Sequence, residues 1–179
     1  MRRSQIRTAL AVGLLAAAAL LLPAGAGATT LQDLSLRAMV DEAELVVSGT
    51  CRRVESRWIG RTLFTLATVS VSETWKGGER PELTLVIPGG IDLDRPIPIA
   101  VTFPGAPVVM PGQGLVLLLR SSPQVEDGFW PVGFSQGALP VARDEAGRSF
   151  AYRRGGSAGG VVPLAELRAE ILGYVRERR

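Results

Sequence analysis

The chain has 179 residues, with 20 basic and 17 acidic side chains, one cysteine and no histidine. Without histidine it lacks the commonest general base and the commonest transition-metal ligand, and a single cysteine forbids an intramolecular disulfide. Zinc, copper and non-haem iron chemistry are disfavoured on these grounds, no cofactor or metal site is expected, and stability has to come from packing.

Arg2, Arg3 and Arg7 precede an apolar run from Ala9 to Leu22; Pro23 ends it, and Ala26-Gly27-Ala28 has the small side chains of a cleavage site. Residues 1–28 therefore read as a secretory signal, with a mature start at Thr29 and a periplasmic or secreted destination. The apolar run is shorter than the about 20 residues of a comfortable membrane span, so no stable anchor is expected after cleavage. Removing the signal takes 3 arginines from the 20 basic residues and leaves 17 against 17 acidic ones. A balanced mature chain gives no electrostatic case for a nucleic-acid partner.

Thr29 to Glu44 reads as a short helix: Leu36, Met39, Val40 and Ala43 fall on one face behind a Ser35 N-cap. Asp41, Glu42 and Glu44 crowd its negative end, so it should stop promptly. The strand "ELVVSGTCRRVESRW" follows. Its parity changes between Cys51 and Val54, which predicts a β-bulge, and Gly49 marks a close backbone approach. Cys51 reads as a small buried hydrophobe. The strand "TLFTLATVSVSETW" puts Leu63, Ala67, Val69, Val71 and Trp75 on one parity with Glu73 awkwardly among them, and Lys76-Gly77-Gly78 makes a solvated turn.

"ELTLVIP" and "IPIAVTF" read as further strands, separated by the turn-rich "GGIDLDRP". "LVLLLR" is a strand buried on both faces, and "GFWPVGFSQGALPV" reads as a hairpin turning near Ser135, with its prolines at edge positions. "RSFAYR" adds a last short strand, residues 153–160 are a Gly-rich linker, and residues 161–179 form an amphipathic helix with Leu164, Leu167, Ile171 and Val175 on one stripe. The expectation is a mainly β domain over residues 29–152, a small barrel or sandwich, flanked by an N-terminal and a C-terminal helix.

No phosphate loop, dinucleotide fingerprint or serine-nucleophile motif occurs, and no carboxylate pair is legible in the sequence, so a non-enzymatic role is expected. Asp92 and Asp94 form a D-x-D followed at once by Arg95, which reads as a solvated loop rather than a calcium site. The order of "AELVVSGTCRRVESRW", "TLATVSVSETWKGG", "ELTLVIPGG", "PVVMPGQGLVLLLR" and "PVGFSQGALPV" resembles that in a group of uncharacterised bacterial secreted proteins. More widely it is similar to netrin-like, tissue-inhibitor-of-metalloproteinase-like domains. The resemblance spans about residues 43–141 and implies a small antiparallel OB-like β-barrel that binds protein. Inhibitors of that family act through an N-terminal cysteine; Thr29 and the strand residue Cys51 do not match it, so no inhibitory residue carries over.

Loops on a rigid scaffold are where recognition concentrates. The loops over residues 88–96 and 104–114 are therefore the expected partner-binding surface, with Asp92, Asp94, Arg95, Val108 and Met110 as its residues and a secreted or envelope protein as its partner. A carbohydrate or cell-wall module that stacks sugars on Trp58, Trp75 or Trp130 is the alternative, and a two-carboxylate hydrolase comes third.

Overall fold

The computed structural model describes residues 33–154 and 159–178; the expected signal segment and the mature start lie outside them. The protein is mainly β. Helix α1 (Leu36–Glu42) leads into β1 (Leu45–Ile59), β2 (Thr62–Lys76), β3 (Glu82–Asp92), β4 (Ile99–Thr102), β5 (Gly114–Ser121), β6 (Gly128–Pro131), a 3-10 turn (Phe134–Gly137), β7 (Ala138–Arg143), β8 (Ser149–Arg153), β9 (Gly160–Pro163) and α2 (Leu164–Glu177). No helix among the described residues is long and apolar enough to cross a membrane.

The hydrogen-bonded order is β1-β2-β3-β6-β5-β7-β8-β9, and β1 also pairs with β5. The path β1–β2–β3–β6–β5 thus returns to β1. Every pairing in it is antiparallel except β3–β6, which is parallel. β4 stands off this path and, among the described residues, pairs with β3 alone.

Two apolar clusters lie on opposite faces of these strands. One gathers Val47, Cys51, Ala67, Val69, Leu85, Leu115, Leu117 and Leu119. The other gathers Val46, Trp75, Val116 and Leu118 with Leu36, Met39 and Val40 of α1 and Leu167 and Ile171 of α2. β5 alternates between the two, Leu115, Leu117 and Leu119 against Val116 and Leu118, as expected of a strand buried on both faces. On α2, Leu167 and Ile171 are fully buried, with Leu164 and Val175 packed beside them.

Bulges set which side chains reach which cluster. β1 pairs Cys51 with Val69 but Arg53 with Thr68, so Arg52 is the extra residue and Val54 returns to the Cys51 face. In β2, Ser72 and Trp75 are extra: Gly49 faces Val71, Ser48 faces Glu73, Val47 faces Thr74 and Val46 faces Lys76. The shift at Ser72 carries Glu73 and Trp75 off the Val69 face. Trp75 packs under the helices, and Glu73 receives Arg168 of α2 at 2.8 and 3.0 Å. The inward Glu73 expected from simple alternation is therefore corrected, because two-residue parity does not survive an inserted residue.

Lys76 is likewise not a solvated turn residue. Its Nζ donates to the carbonyls of Val40 at 2.6 Å and Ala43 at 2.5 Å, closing the C-terminus of α1. The acidic end of that helix is thus met by a cation from another element, and Arg178 adds an ion pair to Asp41 at 3.1 Å. Ser35 caps the other end, accepting from the Ala38 N–H at 3.1 Å.

Three further expectations change. β6 and β7 do not form a hairpin, for they flank β5 on opposite sides. Pro140 is tolerated away from an edge because it faces Leu115 on one side, while the β7–β8 ladder starts only at Val141. The segment expected as linker ends in strand β9, so the C-terminal helix begins at Leu164 with Pro163 as its N-cap.

Candidate functional site

β3 runs beside β2 as far as Pro88, opposite Phe64, and then bends at Gly89 and Gly90, where φ is 95° and 153°. A Cβ on Gly90 would stand 2.6 Å from the Ser56 hydroxyl, and one on Gly89 would stand 2.5 Å from the Val101 carbonyl. Only glycine lets the strand cross this close to both neighbours. Beyond the bend β3 pairs with β4, Gly90 with Val101 and Ile91 with Ala100, and the Ile91 N–H donates to Ser56 Oγ at 3.0 Å.

Asp92 latches the loop that follows. Its carboxylate accepts from Trp58 Nε1 at 2.7 Å, from Arg95 Nε at 2.9 Å and from the Asp94 N–H at 3.1 Å. The Arg95 guanidinium also lies over the Trp58 ring, 5.2 Å from its centroid. The Trp58 hydrogen bond, with help from Arg95, holds the Asp92 carboxyl below its ordinary range. Both of its oxygens are thereby occupied by this chain's own donors. No group of three or more His, Cys, Asp or Glu able to hold a metal occurs among the described residues.

The second loop is pinned as firmly. Cys51 N–H donates to the Gln113 carbonyl at 2.9 Å and Gly112 N–H to the Cys51 carbonyl at 2.8 Å, so the loop end lies along β1 like a short strand. Gln113 Oε1 accepts from the Met110 N–H at 3.0 Å. Val109 is buried in the first apolar cluster, which turns its neighbours Val108 and Met110 outward. Cys51 itself is fully buried, and burial pushes its thiol pKa up, so it is no nucleophile.

These loops and the strand ends beside them carry most of the exposed large apolar side chains. Nine large hydrophobic side chains are exposed among the described residues, and seven belong to this end: Trp58, Ile91, Leu93, Ile97, Phe103, Val108 and Met110. The extremes are Val108 at 81 %, Ile97 at 79 % and Leu93 at 72 %. Ile91, Phe103 and Val108 of these line a groove of about 380 Å³, walled by β3, β4 and the segment from Ala106 to Val109. Asp92, Asp94 and Arg95 sit in the loop between β3 and β4, and Val108 and Met110 in the loop that leads to β5; of the five, Val108 lines the groove. Sequence reasoning missed Leu93, Ile97 and Phe103; the signal was an Ile and a Leu standing in a Pro- and Asp-rich loop, where neither is needed for a turn.

The other tryptophans are placed differently. Trp75 is buried beneath the helices, and Trp130 packs at 6.4 Å from Phe64 in a third small cluster with Val86. A separate polar hollow of about 300 Å³ brings together Glu44, Glu126, Asp127 and Arg80. Glu44 is tied there to Ser121, its Oε2 accepting from the hydroxyl at 2.5 Å and from the N–H at 3.2 Å, and these bonds lower its pKa. Glu73, Glu44 and Asp92 all shift downward, so none of the three is held protonated as a general acid must be.

The latch has a testable signature. Asp92→Ala leaves the core intact and frees the Trp58 indole, so its fluorescence should shift to the red with no loss of cooperative unfolding. Acid should do the same to the native protein. The folded pKa of Asp92 lies below its unfolded value, so its contribution is whole above the unfolded pKa and fades as pH falls through the folded one. A Trp58 signal unchanged between pH 7 and strongly acidic buffer would refute the latch.

No protein-family model matches this chain, and no curated protein matches it.

Proposed function

We propose that the protein is an exported, non-enzymatic binding protein that recognises another secreted or envelope protein through the apolar face formed by the β3–β4 turn and residues 103–113. The supporting observation is that seven of the nine large hydrophobics exposed among the described residues lie on these loops and the strand ends beside them. Contiguous exposed apolar surface costs solubility, and soluble proteins keep it chiefly where it is used. These segments also carry residue types enriched at interfaces, a tryptophan, a methionine and an arginine, on loops braced by the Asp92 and Gln113 contacts. Such preorganisation spares the ordering cost of binding.

The closed pairing path with a parallel β3–β6 contact supports reading the scaffold as a five-stranded OB-like barrel of the netrin-like kind, with β7–β9 and the two helices packed outside it. The glycan-binding alternative fares worse. It needs an open aromatic platform, yet Trp75 is buried, Trp130 is half-buried beside Phe64, and Arg95 lies over the ring of Trp58.

The test is a paired pull-down from envelope and culture fluid of the source organism. The wild type should recover a defined partner, and the Leu93→Asp/Ile97→Asp double variant should lose at least ~30-fold in affinity, the scale of central hot-spot residues. Val161→Asp, at an exposed residue of β9, should bind normally. Equal recovery by all three proteins would defeat the proposal.

A further inference from the structure

Strand β4 deepens this reading, and the inference rests on it. Among the described residues β4 pairs with β3 alone, and outside that ladder none of the described backbone hydrogen bonds involves residues 99–102. One edge of Ile99–Thr102 is therefore unpaired among the described residues. Folded proteins ordinarily protect such an edge with charge, proline, a bulge or a covering element. β9, at the end of the strand order, follows that rule: it contains Pro163 and runs straight into α2. β4 is short, at 4 residues, but its sequence Ile-Ala-Val-Thr carries no charge or proline and its ladder no bulge to block the edge. Pro98 and Pro104 only bracket the strand, which sets its length and leaves its edge open.

The surroundings say what could pair there. The groove beside β4 takes Ala100, Val101 and Thr102 into its wall, next to Phe103 and Val108, and offers apolar contact to the side chains of an added strand. The charge is one-sided. Arg52, Arg53, Arg57 and Arg61 of the β1–β2 ribbon and Arg95 of the loop stand against Glu55, Asp92 and Asp94, whereas the chain from Thr29 onward is balanced at 17 of each sign. Glu55 is spent on Arg53 and Arg57 at 2.6 and 2.8 Å, and Asp92 on Arg95 at 2.9 Å; among the described residues no ion pair holds Arg52 or Arg61. Pairing of β4 with β4 of a second copy would bring these cationic rims together. An acidic partner is attracted by them.

We infer that the free edge of β4 receives an extended, apolar segment with acidic flanks from the partner protein, added as a further strand beside β3–β4. Backbone hydrogen bonds supply the pairing, the groove reads alternate side chains, and the arginines select the flanks.

The experiment selects binders to the full exported chain from a random peptide library and then examines the best peptide. The expected winners are extended and apolar with Asp or Glu at their ends. Exchanging those acids for lysine should weaken binding about tenfold. N-methylation should cost at least about tenfold at alternate residues and little at the ones between, since successive amides of a strand point to opposite edges. The amides of one parity within residues 99–102 should gain protection from hydrogen exchange. Binders with basic ends, or indifferent to the parity of N-methylation, would overturn strand addition while leaving the apolar face as the docking surface. Protection of β4 that appears on concentrating the protein alone would replace the acidic partner by a second copy. Recruitment to phosphatidylglycerol vesicles with no peptide enriched would assign the face to lipid and overturn the inference. Normal partner recovery by the Leu93→Asp/Ile97→Asp variant would instead remove the reading on which it rests.

Discussion

Leu117→Ala should lower the unfolding free energy by about 3–5 kcal/mol, and the melting temperature by roughly 10 °C for a domain of this size. Leu117 is fully buried, faces Val47 of β1 on one side and Ala138 of β7 on the other, and belongs to the first apolar cluster. Neighbours on both sides are held by ladders, so the cavity left by the lost methyl and methine groups cannot collapse. Partial relaxation is what makes a Leu→Ala change cheap, and this site prevents it. Calorimetry of the purified variant gives the answer directly. A loss below about 1 kcal/mol would mean that β5 is not the central strand described here.

Gly49→Val should be of comparable size, about 3 kcal/mol, by the opposite mechanism. A Cβ at Gly49 would lie 2.5 Å from the Ser70 carbonyl oxygen and 3.0 Å from Val69 Cγ1. β1 cannot retreat from β2, because Gly49 is paired on its other side with Leu115 of β5. The closed path of pairings thus turns a steric contact into a global cost. Gly78 makes the control: its Cβ would meet nothing within 4 Å, so Gly78→Ala should stay within about 0.5 kcal/mol of the wild type. Urea titrations of the two variants separate the cases. Tolerance of valine at position 49 would imply that β1 is free on one side.

Much of this scaffold was legible because local chemistry and tertiary context agree. The apolar run of β5, the parity change after Cys51 and the close approach at Gly49 are each written in a few consecutive residues. The second and third of these reappear as the Arg52 bulge and the Ser70 contact. What escaped depends on partners distant in sequence. The bulges at Ser72 and Trp75 follow no local signal, and they send Glu73 to Arg168, 95 residues away. Lys76 looks like any turn lysine until α1 is placed under its ammonium group, 36 residues back in the chain. The β6–β7 segment has the composition of a hairpin, yet β5 inserts between its arms, which no turn residue can announce.

The candidate surface shows the same division. Its loops are marked in the sequence by proline and glycine, but the contacts that brace them are not. Asp92 and Asp94 read in sequence as part of a solvated loop rather than an ion site; in the fold the Asp92 carboxylate holds Trp58 and Arg95, and Asp94 supplies a backbone donor to it. A motif that resembles coordination chemistry is here a brace for an apolar tip.

That this tip is the docking face can be read most directly by site-specific photocrosslinking in the source cells. Benzoylphenylalanine is placed at Leu93 or Val108 on the apolar face, and at Tyr152, an exposed residue of β8, as the comparison. The account predicts one discrete adduct with another exported protein from Leu93 and Val108 and none from Tyr152. Adducts from Tyr152 alone, or no adduct from either loop position, would contradict it.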